Sequence, residues 1–409
     1  MDKTGRAETI EGGRRWLTMC GNRVGWLVWG LLVLLALQTG KISQGQQALA
    51  GNGVEVARKG GIRFRSHVIT TSADNVEEVY AVDMDRDGDI DVLSASVDDN
   101  KVAWYENDGS QGLTAHTIST DFAYVRTVFA ADVDSDGDMD VLSGSGHDDT
   151  VAWHENDGSQ NFTAHVVSDR VGHPCSVVAI DLDEDGDVDI LSASQMDNML
   201  AWFENDGSEN FTLHAISRNA PGAHSVYAID VDGDDDLDIT LACWSDSTVR
   251  WFENDGSESF SGHIIATGIL STSSIYAIDM DCDGDVDVLA DSAEDDSVYW
   301  FENDGSQKFS PHTVTTNADR AYAVFAADLD GDGDVDILSG SAYDDKVAWY
   351  ENDGSQGFTA RVITTSADYT SSVFAIDLDR DGDMDVLSTS GRDDKVAWYE
   401  NLGPGTDNR

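Results

Sequence analysis

Asp83, Asp85, Asp87 and Asp91 occupy positions 1, 3, 5 and 9 of one short stretch, Asp83-Met84-Asp85-Arg86-Asp87-Gly88-Asp89-Ile90-Asp91. Six further stretches carry Asp at the same positions. They are Asp132, Asp134, Asp136 and Asp140; Asp181, Asp183, Asp185 and Asp189; Asp230, Asp232, Asp234 and Asp238; Asp279, Asp281, Asp283 and Asp287; Asp328, Asp330, Asp332 and Asp336; and Asp377, Asp379, Asp381 and Asp385. Each stretch begins 49 residues after the one before, without insertion or deletion. Carboxylates in this number, with the backbone carbonyl of position 7 beside them, are hard oxygen donors, and calcium takes roughly 6–8 of these at about 2.3–2.6 Å. The Gly at position 6 permits the positive φ that a chain needs to curl around an ion. A single such stretch would read as a solvated acidic turn. Seven in phase would crowd like charges at a cost of several kcal/mol without a cation, so up to seven calcium ions are expected. In the fourth stretch Asp235 replaces the Gly. Asp tolerates the left-handed region better than most residues, so that site is expected to be weaker rather than absent.

The elements that hold these stretches are strands. An EF-hand would need Glu at position 12, where this chain has Ser94, Ser143, Ser192, Leu241, Ala290, Ser339 and Ser388. One unit reads Phe162–Val167, a variable loop, Ser176–Ile180 running into the acidic stretch, 189–194, and 200–204 closed by Asn205-Asp206-Gly207-Ser208. The segments are short, rich in β-branched and aromatic residues, and bounded by turn formers. Alternation is imperfect, which fits sheets covered on both faces, and no segment has helical periodicity over ten residues. A fixed period of this size marks a repeat architecture. Radial repetition gives an all-β, seven-bladed propeller of four-stranded antiparallel blades. The repeats begin with a spare outer strand around Ile62–Ile69 and end one strand short, after Val396–Asn401, where Asn401-Leu402-Gly403-Pro404 replaces the usual turn. Pairing the two ends closes the ring and removes both open edges.

With 24 basic and 78 acidic residues, the formal net charge is −54. Such a surface repels nucleic acid and anionic membrane. Hydrophobic content of 40% and tryptophans in phase argue against the disorder that such acidity would otherwise suggest. Cys175, Cys243 and Cys282 sit at three different phases of the repeat, form no framework, and read as free. Residues 1–50 read as a leader, with Arg6, Arg14, Arg15 and Arg23 before the apolar run Val24–Leu37. It is either a cleaved signal peptide or an uncleaved signal anchor; in both cases the rest of the chain is exported and any membrane tether is N-terminal. Residues 51–61 read as a linker, 62–403 as the propeller, and 404–409 as a tail.

The acidic stretch followed by Val/Ile-Leu-Ser, with Trp-Tyr-Glu-Asn-Asp-Gly-Ser behind it, resembles the FG-GAP/VCBS repeat family, related repeats of which build integrin α-subunit propellers. The resemblance covers about residues 62–403. It implies a seven-bladed propeller with calcium between the first and second strands of a blade, held by Asp83, Asp85, Asp87 and Asp91 and their equivalents. The inserted adhesion domain, leg domains and C-terminal anchor of integrins are missing, so integrin function does not carry over.

Trp104, Trp153, Trp202, Trp251, Trp300, Trp349 and Trp398 recur in phase and read as inter-blade packing rather than sugar platforms. His67, His116, His165, His214, His263 and His312, with Arg361 in the seventh place, cannot converge on a metal and read as surface or edge residues. Strand order puts the acidic loops and the Asn-Asp-Gly turns on one face, uniform from copy to copy. The other face is diverse. The turn position before the recurring Asp99 reads Asp98, His147, Met196, Ser245 (with Trp244 beside it), Glu294, Tyr343 and Arg392. These residues are candidates for a ligand-binding face. No Ser-His-Asp grouping, phosphate loop or Cys/His cluster is present, and no catalytic residue is assigned. The expectation is an exported, monomeric calcium-binding adhesion or ligand-binding module with a protein or glycan ligand. The alternatives are a carbohydrate-active protein, lectin- or lyase-like, and a purely structural surface protein.

Overall fold

The computed structural model describes residues 61–404, together with a short pairing of Trp16–Leu17 with Val24–Gly25. Apart from that pairing, the leader, most of the linker and the tail lie outside the described residues. Seven four-stranded antiparallel sheets follow one another around a ring. Blade 1 runs from its innermost strand, Val76–Val82, through Asp91–Ser96 and Lys101–Asn107 to the outermost, Leu113–Ser119. Blades 2 to 6 repeat this order, and blade 7 takes its innermost three strands from Thr370–Ile376, Asp385–Ser390 and Lys395–Pro404.

Its fourth strand comes from the other end of the chain. Ile62–Thr70 pairs with Lys395–Pro404 in a register running from Ile62 opposite Pro404 to Thr70 opposite Val396. The missing Asn-Asp-Gly-Ser turn is explained at the same place. Without it Lys395–Pro404 stays extended for 10 residues, against 7 in the equivalent strand of blade 1, and the extra length lies alongside Ile62–Phe64.

Imperfect alternation has its cause in burial. Every residue of the second strand is buried in all seven blades. A strand covered on both faces reads as a nearly continuous apolar run. Small residues in these strands set how closely blades approach. A Cβ on Gly144 would stand 2.6 Å from Thr127 Cγ2 in the same blade and 3.3 Å from Pro174 Cβ in the next. Buried hydroxyls are matched to partners. The Oγ atoms of Ser94, Ser339 and Ser388 contact the hydroxyls of Tyr105, Tyr350 and Tyr399 at 3.1–3.2 Å, and Ser143 Oγ contacts His154 Nε2 at 2.9 Å. Where the ring position is Phe252 or Phe301, the serine position is Leu241 or Ala290. Blade 3 breaks this pairing: Phe203 faces Ser192, whose Oγ meets Ser194 Oγ at 3.4 Å instead.

The seven phased tryptophans are buried on the third strands. In six blades a histidine of the outermost strand stacks over the indole at 4.4–4.7 Å. The Nε2 of each of these histidines meets a glutamate oxygen at 2.6–2.8 Å. The histidines are therefore lids over the tryptophans, and the edge reading holds. Cys175 and Cys243 are free, whereas Cys282 is disulfide-bonded and so departs from the expectation that all three are free.

Candidate metal loops and the opposite face

Each acidic stretch lies between the first and second strands of its blade. In the first loop, carboxylate oxygens of Asp83, Asp85 and Asp91 lie within 4.8 Å of one another; in the second to fifth loops the same holds for positions 1, 3 and 5. Local backbone chemistry builds this convergence. The amide of position 5 donates to the position 3 carboxylate (Asp87 N to Asp85 Oδ1, 3.1 Å). That of position 7 donates to position 5 (Asp89 N to Asp87 Oδ1, 2.8 Å). Position 6 takes the left-handed φ that was read from its Gly, 97° at Gly88, and Asp235 in the fourth loop adopts 76° instead. Position 4 is also left-handed, at 60° in Arg86 and 63° in Cys282. No residue type signals it, because position 4 varies from copy to copy.

Position 9 does more than the sequence suggested. Asp91 is buried, and its two oxygens accept the amides of Met84 (3.0 Å) and Asn107 (2.7 Å). Every blade repeats this pair. The Asn of the Asn-Asp-Gly-Ser turn is thereby tied to the acidic loop. Its side-chain amide also reaches the preceding blade, as Asn107 Nδ2 does to the Leu378 carbonyl at 3.3 Å. The Gly of that turn is dictated by position 7, since a Cβ on Gly109 would lie 2.3 Å from Asp89 Oδ2. Neighbouring blades touch the carboxylates as well. Gln111, Gln160 and Gln356 donate to Asp379, Asp85 and Asp281, the position 3 residues of the preceding blades, at 3.2–3.4 Å.

The donor set suits a hard cation. Asp83, Asp181, Asp232, Asp281 and Asp377 each keep a buried Oδ1 with no hydrogen-bond partner. An orphaned acceptor of this kind is costly unless something positive meets it. Burial raises the pKa of Asp83 and Asp85 and pushes Asp181 and Asp330 up to about 6. It pushes position 9 to about 7 in Asp91, Asp140, Asp189, Asp238 and Asp287, and to about 8 in Asp336 and Asp385.

On the diverse face the predicted residues are exposed, apart from the half-buried Trp244, but they do not form one site. Asp98 stands in blade 1, where its amide donates to the Asp74 carbonyl; His147 stacks on Tyr124 at 4.3 Å; Glu294 accepts from Ser271 Oγ; and Met196 projects alone, 72% exposed. Trp244, Tyr343 and Arg392 do come together, with Arg320, Tyr322 and Tyr369, which sequence reasoning missed. Arg320 and Tyr369 lie in the linking loops, whose diversity was the one signal available.

This group borders the mouth of a central cavity of about 190 Å³ lined by the innermost strands. One residue per blade rings that mouth: Glu77, Arg126, Cys175, His224, Ser273, Tyr322 and Ser371. Arg126 bonds Cys175 Sγ at 3.2 Å and reaches Glu77 and the Tyr322 hydroxyl at 3.4 Å. Burial raises the Cys175 thiol, the opposite of nucleophile activation, and pushes His224 down to about 3. Deeper in, Tyr227, Tyr276, Phe325, Phe374, Tyr80 and Phe129 pack ring to ring at 4.6–5.4 Å.

Among solved structures, the chain is similar to virginiamycin B lyase from Staphylococcus aureus, with a TM-score of 0.58 and 11% identity over 83% of this chain and 99% of that one. It is similar to the WD40 β-propeller domain of Doa1, with a TM-score of 0.60 and 14% identity over 84% and 97%. At such identities the likeness is one of fold. No curated protein matches the sequence. The FG-GAP-like repeat model matches six times, over residues 83–143, 132–192, 181–241, 239–290, 288–339 and 328–388. These matches span most of the ring without a break, and the chain belongs to the FG-GAP-like repeat family.

Proposed function

We propose that this propeller is an exported calcium-binding module that presents its diverse face to an extracellular ligand, as an adhesion or ligand-binding protein without catalysis of its own. The observation that carries the calcium reading is the set of buried, unpartnered oxygens at Asp83, Asp181, Asp232, Asp281 and Asp377 within converging carboxylate loops. Positions 1, 3, 5 and 9, with the position 7 carbonyl, would hold the ion. Calcium there supplies positive charge to carboxylates that otherwise repel. The chain's own contribution is to aim them, through the position 3-to-5 and 5-to-7 turns and the position 9 clamp. The ions are structural in this reading: the loops share a face with the Asn-Asp-Gly turns and brace blade against blade.

The test is thermal unfolding with calcium and with a chelator, alongside a metal count on the purified protein. A large fall in melting temperature on chelation and several bound ions per chain are expected. Fewer than about three ions, or a melting temperature indifferent to chelation, would make the loops solvated acidic turns. A second reading, a glycan-binding protein, is favoured by one observation, the aromatic and guanidinium cluster beside Trp244 and Tyr343.

A further inference from the structure

We propose that the cavity mouth on the diverse face, where blades 4, 6 and 7 meet it, binds a carboxylate-bearing saccharide of the uronate type. The proposal rests on the reading of that face as ligand-binding and adds the chemical class and the residues. Five side chains from separate loops form an alternating stack. The guanidinium of Arg320 lies 5.8 Å from the Trp244 ring and 5.0 Å from that of Tyr343. The guanidinium of Arg392 lies 6.0 Å from Tyr343 and 4.7 Å from Tyr369. Tyr322 joins the stack to the cavity, 6.2 Å from Tyr369 and 6.3 Å from Trp244, with Arg126 reaching its hydroxyl.

The charges around this stack are unusual for the chain. Four cations on the same face are neutralised within their own turns, Lys101 by Asp99, Lys346 by Asp344, Lys395 by Asp393 and Arg250 by Asp246, whereas the exposed Arg218 of a linking loop has no carboxylate within 4.0 Å among the described residues. Arg320 and Arg392 have no carboxylate within 4.0 Å among the described residues, although acidic residues outnumber basic ones 78 to 24. Arg320 Nε is buried and has no hydrogen-bond partner. A guanidinium with rings over its faces keeps its N–H edge free, and that planar fork matches a carboxylate in bidentate fashion. An acidic ligand would complete both arginines.

A flat ring beside the acid fits better than an acidic peptide. Tyr343 is 54% exposed and stands between the two guanidinium groups. A pyranose can pack its C–H groups against the exposed edge of that ring while its carboxylate, in the plane of the sugar, meets the guanidinium edge. An aspartate or glutamate side chain offers the carboxylate without the ring, on a flexible stem that must be ordered on binding.

The experiment uses the full chain in calcium and titrates it calorimetrically with an oligogalacturonate, the equivalent neutral oligogalactoside and poly-glutamate. The oligogalacturonate is expected to bind tightest. Arg320→Gln and Arg392→Gln are each expected to weaken it by roughly tenfold or more, the loss of a charge-assisted pair, with the melting temperature and bound calcium unchanged. Tyr343→Ala should weaken it as well. Equal binding of the neutral sugar or of poly-glutamate, lost in Tyr343→Ala, would overturn the acidic-saccharide assignment and leave the face itself as the binding surface. Uronate binding untouched by all three substitutions would place it elsewhere, as on calcium at the opposite face, and would overturn the proposal. No binding of the oligogalacturonate would overturn it too. The broader reading of the face would then stand only on a neutral-sugar or poly-glutamate signal that Tyr343→Ala removes.

Discussion

In the proposed calcium sites, Asp91 and its equivalents are the residues on which proton and calcium would compete. Each is buried between its acidic loop and the Asn-Asp-Gly turn, and burial holds its folded pKa near 7 or 8, above the ordinary 3.8. A carboxyl whose pKa is raised on folding adds stability in full below its unfolded pKa, and that stability is lost as pH rises through the folded value. This contribution should therefore make metal-free protein most stable below about pH 4 and cost it stability from there up to about pH 7–8. Calcium should flatten or reverse that slope, because its ligands must be deprotonated. Chemical denaturation across pH with and without calcium reads this directly; a metal-free protein that gains stability between pH 5 and 8 would contradict it. The loops also differ. Asp235 holds its left-handed φ where other copies use Gly, and adds one more carboxylate to the fourth loop. Asp85→Ala is expected to lower the melting temperature of the calcium-loaded protein more than Asp232→Ala, since the fourth loop, lacking its Gly, is expected to bind less to begin with. Equal losses would show that the Gly matters little.

At the scale of elements, the closing strand decides the integrity of the ring. Ile62–Thr70 supplies a ladder to Lys395–Pro404, the His67 lid over Trp398, and the Arg65 and His67 contacts to Glu400. Deleting residues 62–70 should uncover Trp398 and an open edge, lower the melting temperature and promote association. A deleted protein that melts as the full chain does would refute a structural role for the closure. Another element departs from its copies. The innermost strand of blade 5 is only Ile275–Ile278, because Asp291 stands where other blades carry Ala, Gly or Thr. Its carboxylate takes the amides of Ser273 (2.8 Å) and Ser274 (2.6 Å) and the Ser273 hydroxyl (2.7 Å), replacing part of the ladder.

For the whole molecule, the proposed calcium would act by mass action. Each site that binds the folded state alone adds RT ln(1 + [L]/Kd). With Kd of roughly 0.1–1 mM, as in extracellular modules, about 2 mM calcium would contribute about 0.7–1.8 kcal/mol per site. Seven sites would together give about 5–12 kcal/mol, comparable with the whole stability of a domain. Magnesium should rescue a chelated sample poorly, because it keeps its waters and demands tighter octahedral geometry. These numbers require a compartment rich in calcium, so export belongs to the same argument. A reporter fused after Ala50 should appear outside the cytoplasm, and its retention inside would remove both the leader reading and the calcium concentration assumed here.

The strict period of Asp83, Asp132 and their successors, the Asn-Asp-Gly-Ser turns and the unmatched strand at each end were enough to specify seven blades, their strand order and the closure. Those features are local or repeat in phase, and a residue type reports them directly: Gly88 for a positive φ, Trp104 for a buried ring, Phe64 for an unpaired strand. What only the tertiary structure decided is where separate blades meet. The double duty of Asp91 depends on the amide of Asn107 being brought 2.7 Å from it. The hold of Gln160 on Asp85 crosses between blades, and so does the stack of Trp244, Arg320, Tyr343, Arg392 and Tyr369. Tyr343 and Arg392 share one phase of the repeat and Arg320 and Tyr369 another, with Trp244 one residue before the first, but no phase says which blades' side chains touch. Their relation arises only when the ring folds linking loops and turns against one another around its mouth, a through-space fact that repeat spacing along the chain does not encode.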